Sequence, residues 1–256
     1  MLFDSIIYGP IHSRRLGMSL GVNLMPTDHK LCSFDCVYCE IGWNSPISHP
    51  KLPTREEVRE ALEVSLQQLA QQPDVITFSG NGEPTLHPDF DGIIADSCAL
   101  RNMYCPKAKV SVLSNSTQVT RKDVFRALKQ CDNRIMKLDS GIDRTMQLID
   151  RPVNKELAVD AIIERLQRFD GDFTLQTCFV RGIVPDGEGQ TAIDNTTEEE
   201  LAAWYRAIDK MRPKQIMIYV IDRQTPCKSL EKISREQMES IAAPLRAKGY
   251  DVIVSA

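Results

Sequence analysis

Residues 31–40 read LCSFDCVYCE and place three of the chain's eight cysteines within eight positions. Cys32, Cys36 and Cys39 are spaced C-x3-C-x2-C. Thiolates are soft ligands that suit iron–sulfur clusters, zinc and copper(I), and four of them would saturate a zinc ion or a cubane cluster. Three thiolates on one short loop can bind three irons of a cubane and leave the fourth iron open to a substrate or cofactor. The spacing therefore favours a chemically active cluster over a structural metal site.

Zinc binding and an accidental group of reduced thiols are the alternative interpretations of this stretch. A fourth zinc ligand could come from His29, Asp35 or His49. Zinc motifs usually combine two paired units, and the remaining five cysteines form no second tight cluster. A thioredoxin-like role for the C-x2-C pair would leave the first cysteine without a function. We therefore prefer the iron–sulfur interpretation.

Outside this stretch, apolar β-branched runs alternate with segments whose apolar residues repeat every 3.6 positions. The predicted strands are Met18–Met25, Asp74–Phe78, Lys109–Leu113, Arg134–Leu138, Phe173–Val180, Gln215–Ile221 and Asp251–Ser255. Alternating strands and helices predict an α/β fold with a mainly parallel sheet and outer helices. Six such units suit an open, partial barrel or a doubly wound sheet. In both, a functional site belongs at the C-terminal ends of the strands.

The loop after the second predicted strand is rich in glycine. Gly80 and Gly82 flank Asn81, and glycine permits positive φ and close approach of the backbone to a ligand. Backbone carbonyls beyond the strand end could accept hydrogen bonds from a ligand ammonium group, and Glu83 adds negative charge. The alternative is an ordinary glycine-rich turn before a helix. The turn gains weight because it follows the cysteine loop by one strand.

Together these two motifs resemble those of the radical S-adenosylmethionine (radical SAM) superfamily. The cysteine motif matches in full, including the aromatic Tyr38 before the last cysteine, whereas the family's Gly-Gly-Glu motif has one inserted residue, as GNGE at 80–83. The strand rhythm looks like the family's partial (β/α)6 TIM-like barrel. The resemblance implies a single domain over residues 1–256 with a cluster loop at 26–43. The N-terminal stretch over 8–21 is similar to a poorly characterised branch loosely related to wyosine-forming tRNA enzymes.

The resemblance also implies cofactors and roles for residues. Cys32, Cys36 and Cys39 would hold a [4Fe–4S] cluster, whose open iron binds the amino and carboxylate groups of S-adenosylmethionine. One electron would break the S–C5′ bond, and the 5′-deoxyadenosyl radical would abstract hydrogen from a substrate. The implied cofactor-binding residues are Tyr38 at the adenine, Gly80, Asn81, Gly82 and Glu83 at the amino group, and Ser114 and Asn115 at the ribose or carboxylate.

Several further residues are candidates with a plain alternative each. Lys137 and Asp139 point the same way in a strand and could contact the cofactor, or form a solvent-facing ion pair. Cys227 and Asp139 are weak catalytic candidates, and Cys227 is more readily a bystander than a hydrogen donor or second-cluster ligand. Arg14 and Arg15 could bind a carboxylate or phosphate, or simply carry surface charge. The long loop over 181–196 could be a lid or an ordinary solvated connection.

Composition limits the partners and the compartment. A formal charge of −4 and a pI near 5.7 carry no global electrostatic signature of nucleic-acid binding, and DNA is not expected. No apolar run approaches the roughly 18 residues that span a bilayer, and the N-terminus lacks a secretory pattern. Eight cysteines without such a pattern predict a reducing, cytoplasmic location.

The resemblance further implies a flavodoxin- or ferredoxin-like reductant protein. The substrate would be RNA or a nucleotide, or else a peptide or protein. A non-catalytic iron–sulfur or zinc-binding protein is the contrasting hypothesis. It predicts a saturated site and no cleavage of S-adenosylmethionine.

Overall fold

The computed structural model describes residues 2–13, 15–45 and 49–256. The chain divides into two compact units, Met1–Ser33 with Asn44–Ile135 and Phe34–Trp43 with Met136–Ala256. The division falls inside the predicted cluster loop, so Cys32 belongs to the first unit while Cys36 and Cys39 belong to the second. The single domain predicted over 1–256 stays a prediction. Arg14 lies outside the described residues, and its predicted role stays untested.

The first unit is built on four neighbouring strands. They are β1 (Ile7–Ser13), β2 (Gly17–Val22), β3 (Val75–Phe78) and β4 (Lys109–Ser114); β1 runs antiparallel to β2, and β2, β3 and β4 are parallel. Its helices are α1 (Arg55–Gln68), α2 (Phe90–Tyr104) and α3 (Lys122–Gln130), with a 3₁₀ turn at Pro84–Leu86. All four residues of β3 are buried, as expected for a parallel strand covered on both faces. Strand β1 was not predicted, because its middle residues are exposed and carry no apolar alternation.

Strand β5 (Asn133–Lys137) begins in the first unit and ends in the second. The second unit continues with α4 (Asp143–Ile149), α5 (Val159–Gln167), β6 (Thr174–Asp186), β7 (Gly189–Asp194), α6 (Glu198–Met211), β8 (Gln215–Val220), β9 (Leu230–Lys232), α7 (Arg235–Ala247) and β10 (Asp251–Ser255). Strands β6, β8 and β10 are parallel neighbours, and β6 also pairs antiparallel with β7 and β9. Each of the seven predicted strands thus corresponds to an observed one.

The segment over 181–196 is not the long loop that its composition suggested. Strand β6 continues to Asp186 and pairs with β7 from Arg181–Asp194 to Asp186–Gly189. The two-residue turn between them contains Gly187 at φ 60°, a conformation that glycine adopts without a Cβ penalty. Polar residues on a half-exposed hairpin gave the segment the composition of a loop. A lid role for the hairpin stays a prediction.

None of the described helices is long and apolar enough to cross a membrane.

The helices of both units bury one apolar face each. In α1 the buried residues are Val58, Leu62 and Leu66, and the helix begins at a reciprocal cap in which Thr54 and Glu57 bond each other's backbone N–H.

Candidate functional site

In the first unit, the turn after β3 lies against the start of the cysteine loop. The Leu31 amide donates to the Asn81 carbonyl at 2.9 Å, and the Glu83 amide donates to the Leu31 carbonyl at 3.1 Å. Gly82 has φ 153°, and a Cβ there would lie 1.7 Å from the Leu31 oxygen. Gly80 has φ 139°, and its Cβ would lie 2.5 Å from Asn23 Oδ1. Gly82 is therefore required by the nearby Leu31 backbone and Gly80 by the nearby Asn23 side chain, while the predicted approach of this turn to a ligand stays a prediction.

The Asn81 side chain is fully buried and bonded within the protein. Its Nδ2 donates to the carbonyls of Phe3 and Pro26 at 2.8 and 2.7 Å, and its Oδ1 accepts from the Phe3 amide at 2.8 Å. Its own amide donates to Asn23 Oδ1 at 3.0 Å. The residue inserted into the family motif thus connects parts of the first unit through both its side chain and its backbone.

The Glu83 carboxylate is buried and hydrogen-bonded within the first unit. Its carboxylate accepts hydrogen bonds from Ser114 Oγ at 2.8 Å, the Asn115 amide at 2.7 Å, and both the amide and the hydroxyl of Thr85. Burial raises the pKa of Glu83, and the hydrogen bonds from Thr85, Asn115 and Ser114 oppose that rise. Because the side chain is 3% exposed, these donors take the place of water around the charge.

Ser114 and Asn115, which lie at the end of β4, are both buried and hydrogen-bonded within the protein. The Asn115 Oδ1 accepts from the amide and the hydroxyl of Thr117 at 3.1 and 2.8 Å. Its Nδ2 lies 2.9 Å from Ser33 Oγ and 3.6 Å from Cys32 Sγ. Ser33 Oγ and Thr117 Oγ1 are 2.7 Å apart, which closes the network. The structure therefore brings together Glu83, Ser114, Asn115 and Cys32, as the strand-end rule predicted.

In the second unit, Lys137 and Asp139 form a buried ion pair with a third partner. Lys137 Nζ bonds Asp139 Oδ2, lies 2.5 Å from Asp150 Oδ1 and donates to the Tyr38 hydroxyl at 2.7 Å. The Tyr38 hydroxyl donates to Asp139 Oδ2, and Tyr219 OH lies 3.5 Å from it. The expected solvent-facing alternative for Lys137 and Asp139 is wrong, because both side chains are more than nine-tenths buried.

One ammonium facing two carboxylates sets the electrostatics of this cluster. Burial alone would lower the pKa of Lys137, but the charges of Asp139 and Asp150 outweigh it and the pKa is raised well above its usual value. Burial raises the pKa of Asp150 to about 7, with Lys137 opposing and Asp139 adding to the rise. Burial and the Asp139 charge also raise the pKa of Tyr38. Asp150 in this group of side chains therefore keeps its proton up to near-neutral pH.

Sequence reasoning missed Asp150, because it follows a helix rather than a strand. It ends α4, one residue before Arg151-Pro152, and no rule about strand ends selects it. Its backbone carbonyl also accepts from the Asp35 amide at 2.9 Å, and the preceding carbonyl of Ile149 accepts from Val37 at 2.9 Å. The end of α4 thus holds the segment that carries Cys36.

Cys227 lies beside the same segment. Its amide donates to the Val37 carbonyl at 3.3 Å, and its thiol donates to the Ile183 carbonyl at 3.1 Å. Val37 is completely buried in a core cluster that includes Ile149, Val180 and Cys227. Packing explains the position of Cys227, and its catalytic role stays a prediction. The Arg15 amide bonds Ser13 Oγ at 3.3 Å, and the predicted anion-binding role of Arg15 is likewise untested.

The donor set of the cysteine loop suits an iron–sulfur cluster. All three thiols are free of disulfides, and Cys32 Sγ already receives an N–H donor. Over the described ranges, no three His, Cys, Asp or Glu side chains, the three cysteines included, are gathered to hold a metal ion. The cluster ligands rest on the chemistry of the donors and on their spacing.

Comparison with known proteins identifies the family. The model of the Radical SAM superfamily matches residues 29–198, which is more than half of the chain. Over 239 residues the chain is 29% identical to a Brachyspira hyodysenteriae protein named GTPase Obg, covering 91% of this chain and 32% of that protein. It is 30% identical over 181 residues to a Helicobacter pylori protein named UPF0026 protein, covering 70% of this chain and 57% of that protein. The chain thus spans about a third and somewhat over half of these relatives.

Solved structures agree on the fold. Streptococcus suis SuiB bound to S-adenosylmethionine matches with a TM-score of 0.64 at 11% identity, covering 92% of this chain and 50% of SuiB. TYW1 with a lysine–pyruvate adduct matches with a TM-score of 0.62 at 13% identity, covering 90% and 73%. The predicted α/β fold, a radical SAM partial barrel, is confirmed. This chain therefore belongs to the radical SAM superfamily of enzymes, whose cofactors are a [4Fe–4S] cluster and S-adenosylmethionine.

Proposed function

We propose that this chain cleaves S-adenosylmethionine reductively at a [4Fe–4S] cluster held by Cys32, Cys36 and Cys39. When bound, these cofactors supply one-electron cleavage of the S–C5′ bond, giving methionine and a 5′-deoxyadenosyl radical that takes a hydrogen atom from a substrate. The observation that carries the proposal is the full cysteine motif inside the region that the family model matches.

The turn after β3 is assigned to the amino group of the cofactor. The Asn81 carbonyl is engaged by the Leu31 amide, so the carbonyls of Gly80 and Gly82 are the better acceptors for an ammonium group. Glu83 supports the turn from inside through its bonds to Ser114 and the backbone of the next loop. Ser114 and Asn115 already have protein partners, so we assign them to holding the site rather than to the ribose.

Tyr38 is assigned to the adenine through its ring. Its hydroxyl is bonded to Lys137 and Asp139, which leaves the half-buried ring as the part that can meet a base. Lys137, Asp139 and Asp150 then act as positioning residues for the segment with Cys36 and Cys39. A buried, fully partnered network fixes side chains more strictly than an exposed one, because no water competes for its bonds.

The substrate class is RNA or a nucleotide, or a peptide or protein. SuiB has been crystallised bound to precursor peptide SuiA, which supports a peptide as one candidate substrate class. The lysine–pyruvate adduct of TYW1 suggests a comparison with Lys137. An amine must lose its proton before it attacks a carbonyl, and the raised pKa of Lys137 opposes that loss. Lys137 is therefore not assigned an adduct-forming role.

The electron comes, in this proposal, from a flavodoxin- or ferredoxin-like protein. A cytoplasmic location is part of the proposal, because eight cysteines in a chain of this kind are typical of a reducing compartment.

Anaerobic reconstitution with iron and sulfide tests the proposal. We expect about four irons per chain, and formation of 5′-deoxyadenosine from S-adenosylmethionine under a low-potential reductant. Cys36→Ser should abolish both, because one cluster ligand is lost. Cys98→Ser, on α2 outside the loop, is the matched control and should retain both.

The outcomes separate the two classes of function. A full cluster without cleavage under strong reductant would favour the non-catalytic iron–sulfur alternative. Bound zinc in place of iron would favour the zinc alternative. Unchanged turnover in Cys36→Ser would overturn the ligand assignment.

A further inference from the structure

The Asn115 amide has an orientation that its surroundings determine. The backbone N–H of Thr117 lies 3.1 Å from Oδ1, and an N–H can only donate, so the facing atom must be the oxygen. The amide nitrogen is thereby directed to the opposite side, toward Cys32 Sγ and Ser33 Oγ. Its two hydrogens serve one acceptor each. The N–H···S contact is therefore part of a saturated set of bonds.

The backbone of Asn115 is held by Glu83. The carboxylate accepts from the Asn115 amide at 2.7 Å and from Ser114 Oγ at 2.8 Å, while Thr85 supplies two further donors. Glu83 and Asn115 are only 3% and 5% exposed, so water does not compete for these bonds. The Asn115 amide group is thus held against the sulfur of Cys32 by bonds that water does not weaken.

A hydrogen bond to a ligating thiolate changes the electronics of an iron–sulfur cluster. The donor withdraws electron density from the sulfur and stabilises the more negative, reduced state, so the reduction potential rises. The effect is larger in a dry site, because the local dielectric is low.

We propose that Asn115 raises the reduction potential of the cluster by donating a hydrogen bond to Cys32, and that Glu83 is the positioning residue for Asn115. The inference rests on the proposed function, because it requires Cys32 to ligate the cluster. It assigns the loop after β4 to the cluster, where the sequence had suggested the ribose or carboxylate of the cofactor.

Redox titration of the reconstituted protein, followed by EPR without S-adenosylmethionine, tests the inference. Asn115→Leu removes the N–H at similar volume and should lower the midpoint potential. Asn115→Asp keeps the acceptor for Thr117 but puts a carboxylate at the sulfur, and should lower it further. Thr117→Val removes a hydroxyl from the same network and leaves the backbone N–H that orients Asn115, so its potential should equal that of the wild type.

Glu83→Gln tests the positioning role. It should lower the potential less than Asn115→Leu does, and should add no shift in the Asn115→Leu background, because it acts only through that amide. An additive shift would overturn the positioning role. If Thr117→Val shifts the midpoint potential as much as Asn115→Leu does, the role of Asn115 is overturned. Any loosening of the hydrogen-bond network would then be enough to change the potential.

Iron content and potential distinguish failure of this inference from failure of the proposed function. A wild-type potential in Asn115→Leu and Asn115→Asp, with the iron content of the wild type, overturns this inference alone. If Asn115→Leu does not fold, the isosteric Asn115→Asp decides the question by the same measurement. A wild-type chain that binds no four-iron cluster overturns both proposals.

Discussion

Each unit contains a buried carboxylate network, and the two networks stabilise their carboxylates in different ways, one through hydrogen-bond donors and the other through an ammonium group. Glu83 in the first unit is surrounded by N–H and O–H donors of Thr85, Ser114 and Asn115. Asp139 and Asp150 in the second unit share the ammonium of Lys137. The N–H and O–H dipoles around Glu83 stabilise its carboxylate only if the loops hold them in the right direction. The Lys137 ammonium carries a full charge and balances carboxylate charge with less dependence on direction. In the second network, the protonation of Asp150 changes near neutral pH, because its pKa is raised to about 7.

Removal of Lys137 should have the largest effect on stability. Lys137→Met leaves two buried carboxylates without a counter-ion, and the free energy of unfolding at pH 7 should fall by about 3–5 kcal/mol. Denaturant unfolding measures it. Lys214→Met, which breaks the half-exposed pair with Asp172, is the control and should cost at most about 1 kcal/mol. The loss in Lys137→Met should shrink at low pH as the carboxylates take up protons; a loss that is the same at pH 4 and pH 7 would contradict this account.

Asp150 should make the stability of the second network depend on pH. Its folded-state pKa of about 7 lies above the ordinary 3.8, so the folded state holds this proton more tightly. The contribution to stability is complete below about pH 4 and is lost as pH rises to about 7, by up to about 4 kcal/mol. Asp150→Asn lacks this proton, so the stability difference between wild type and variant should change across that window. Parallel unfolding profiles from pH 4 to 8 would refute the assignment.

Deletion of one hydroxyl from each network should have the smallest effects on the free energy of unfolding. These two variants allow a direct comparison of the networks. Tyr38→Phe removes a hydroxyl bonded to both Lys137 and Asp139, and should cost about 2 kcal/mol. Thr85→Val removes one of four donors to Glu83, and should cost about 1 kcal/mol because the other three remain. Thermal or denaturant unfolding measures both. The reverse order would show that directed dipoles, and not the ion pair, are the less replaceable of the two.

Much of the site could be predicted from sequence because its parts are local. The three thiols lie within eight residues, and the glycines of the turn reveal a close backbone approach through their identity alone. Lys137 and Asp139 are two residues apart in and beyond a strand, so their shared direction follows from alternation. Their burial does not follow, since it depends on Tyr38 and Asp150 reaching the same place.

Other parts could not be predicted because their cause is long-range. The sequence placed Glu83 near the cofactor amino group as a negative charge, and its hydrogen bond from Ser114, 31 residues later, is visible only in the structure. Tyr38 meets Asp139 across 101 residues. The hairpin over 181–196 had the composition of a loop, because most of its residues are polar or exposed and few, such as Val184 and Ile193, are buried and apolar.

The sequence by itself determined the donor atoms, the glycine positions and the order of strands and helices, because residue type and short spacing specify them. Only the tertiary structure decided which acceptor each polar group meets and which charge is left in excess. Those outcomes depend on burial, which removes water as a partner and makes each remaining contact decisive for pKa and orientation. Asn115 illustrates this division. Its position after a strand could be predicted from the sequence, whereas its hydrogen bond to Cys32 is visible only in the tertiary structure.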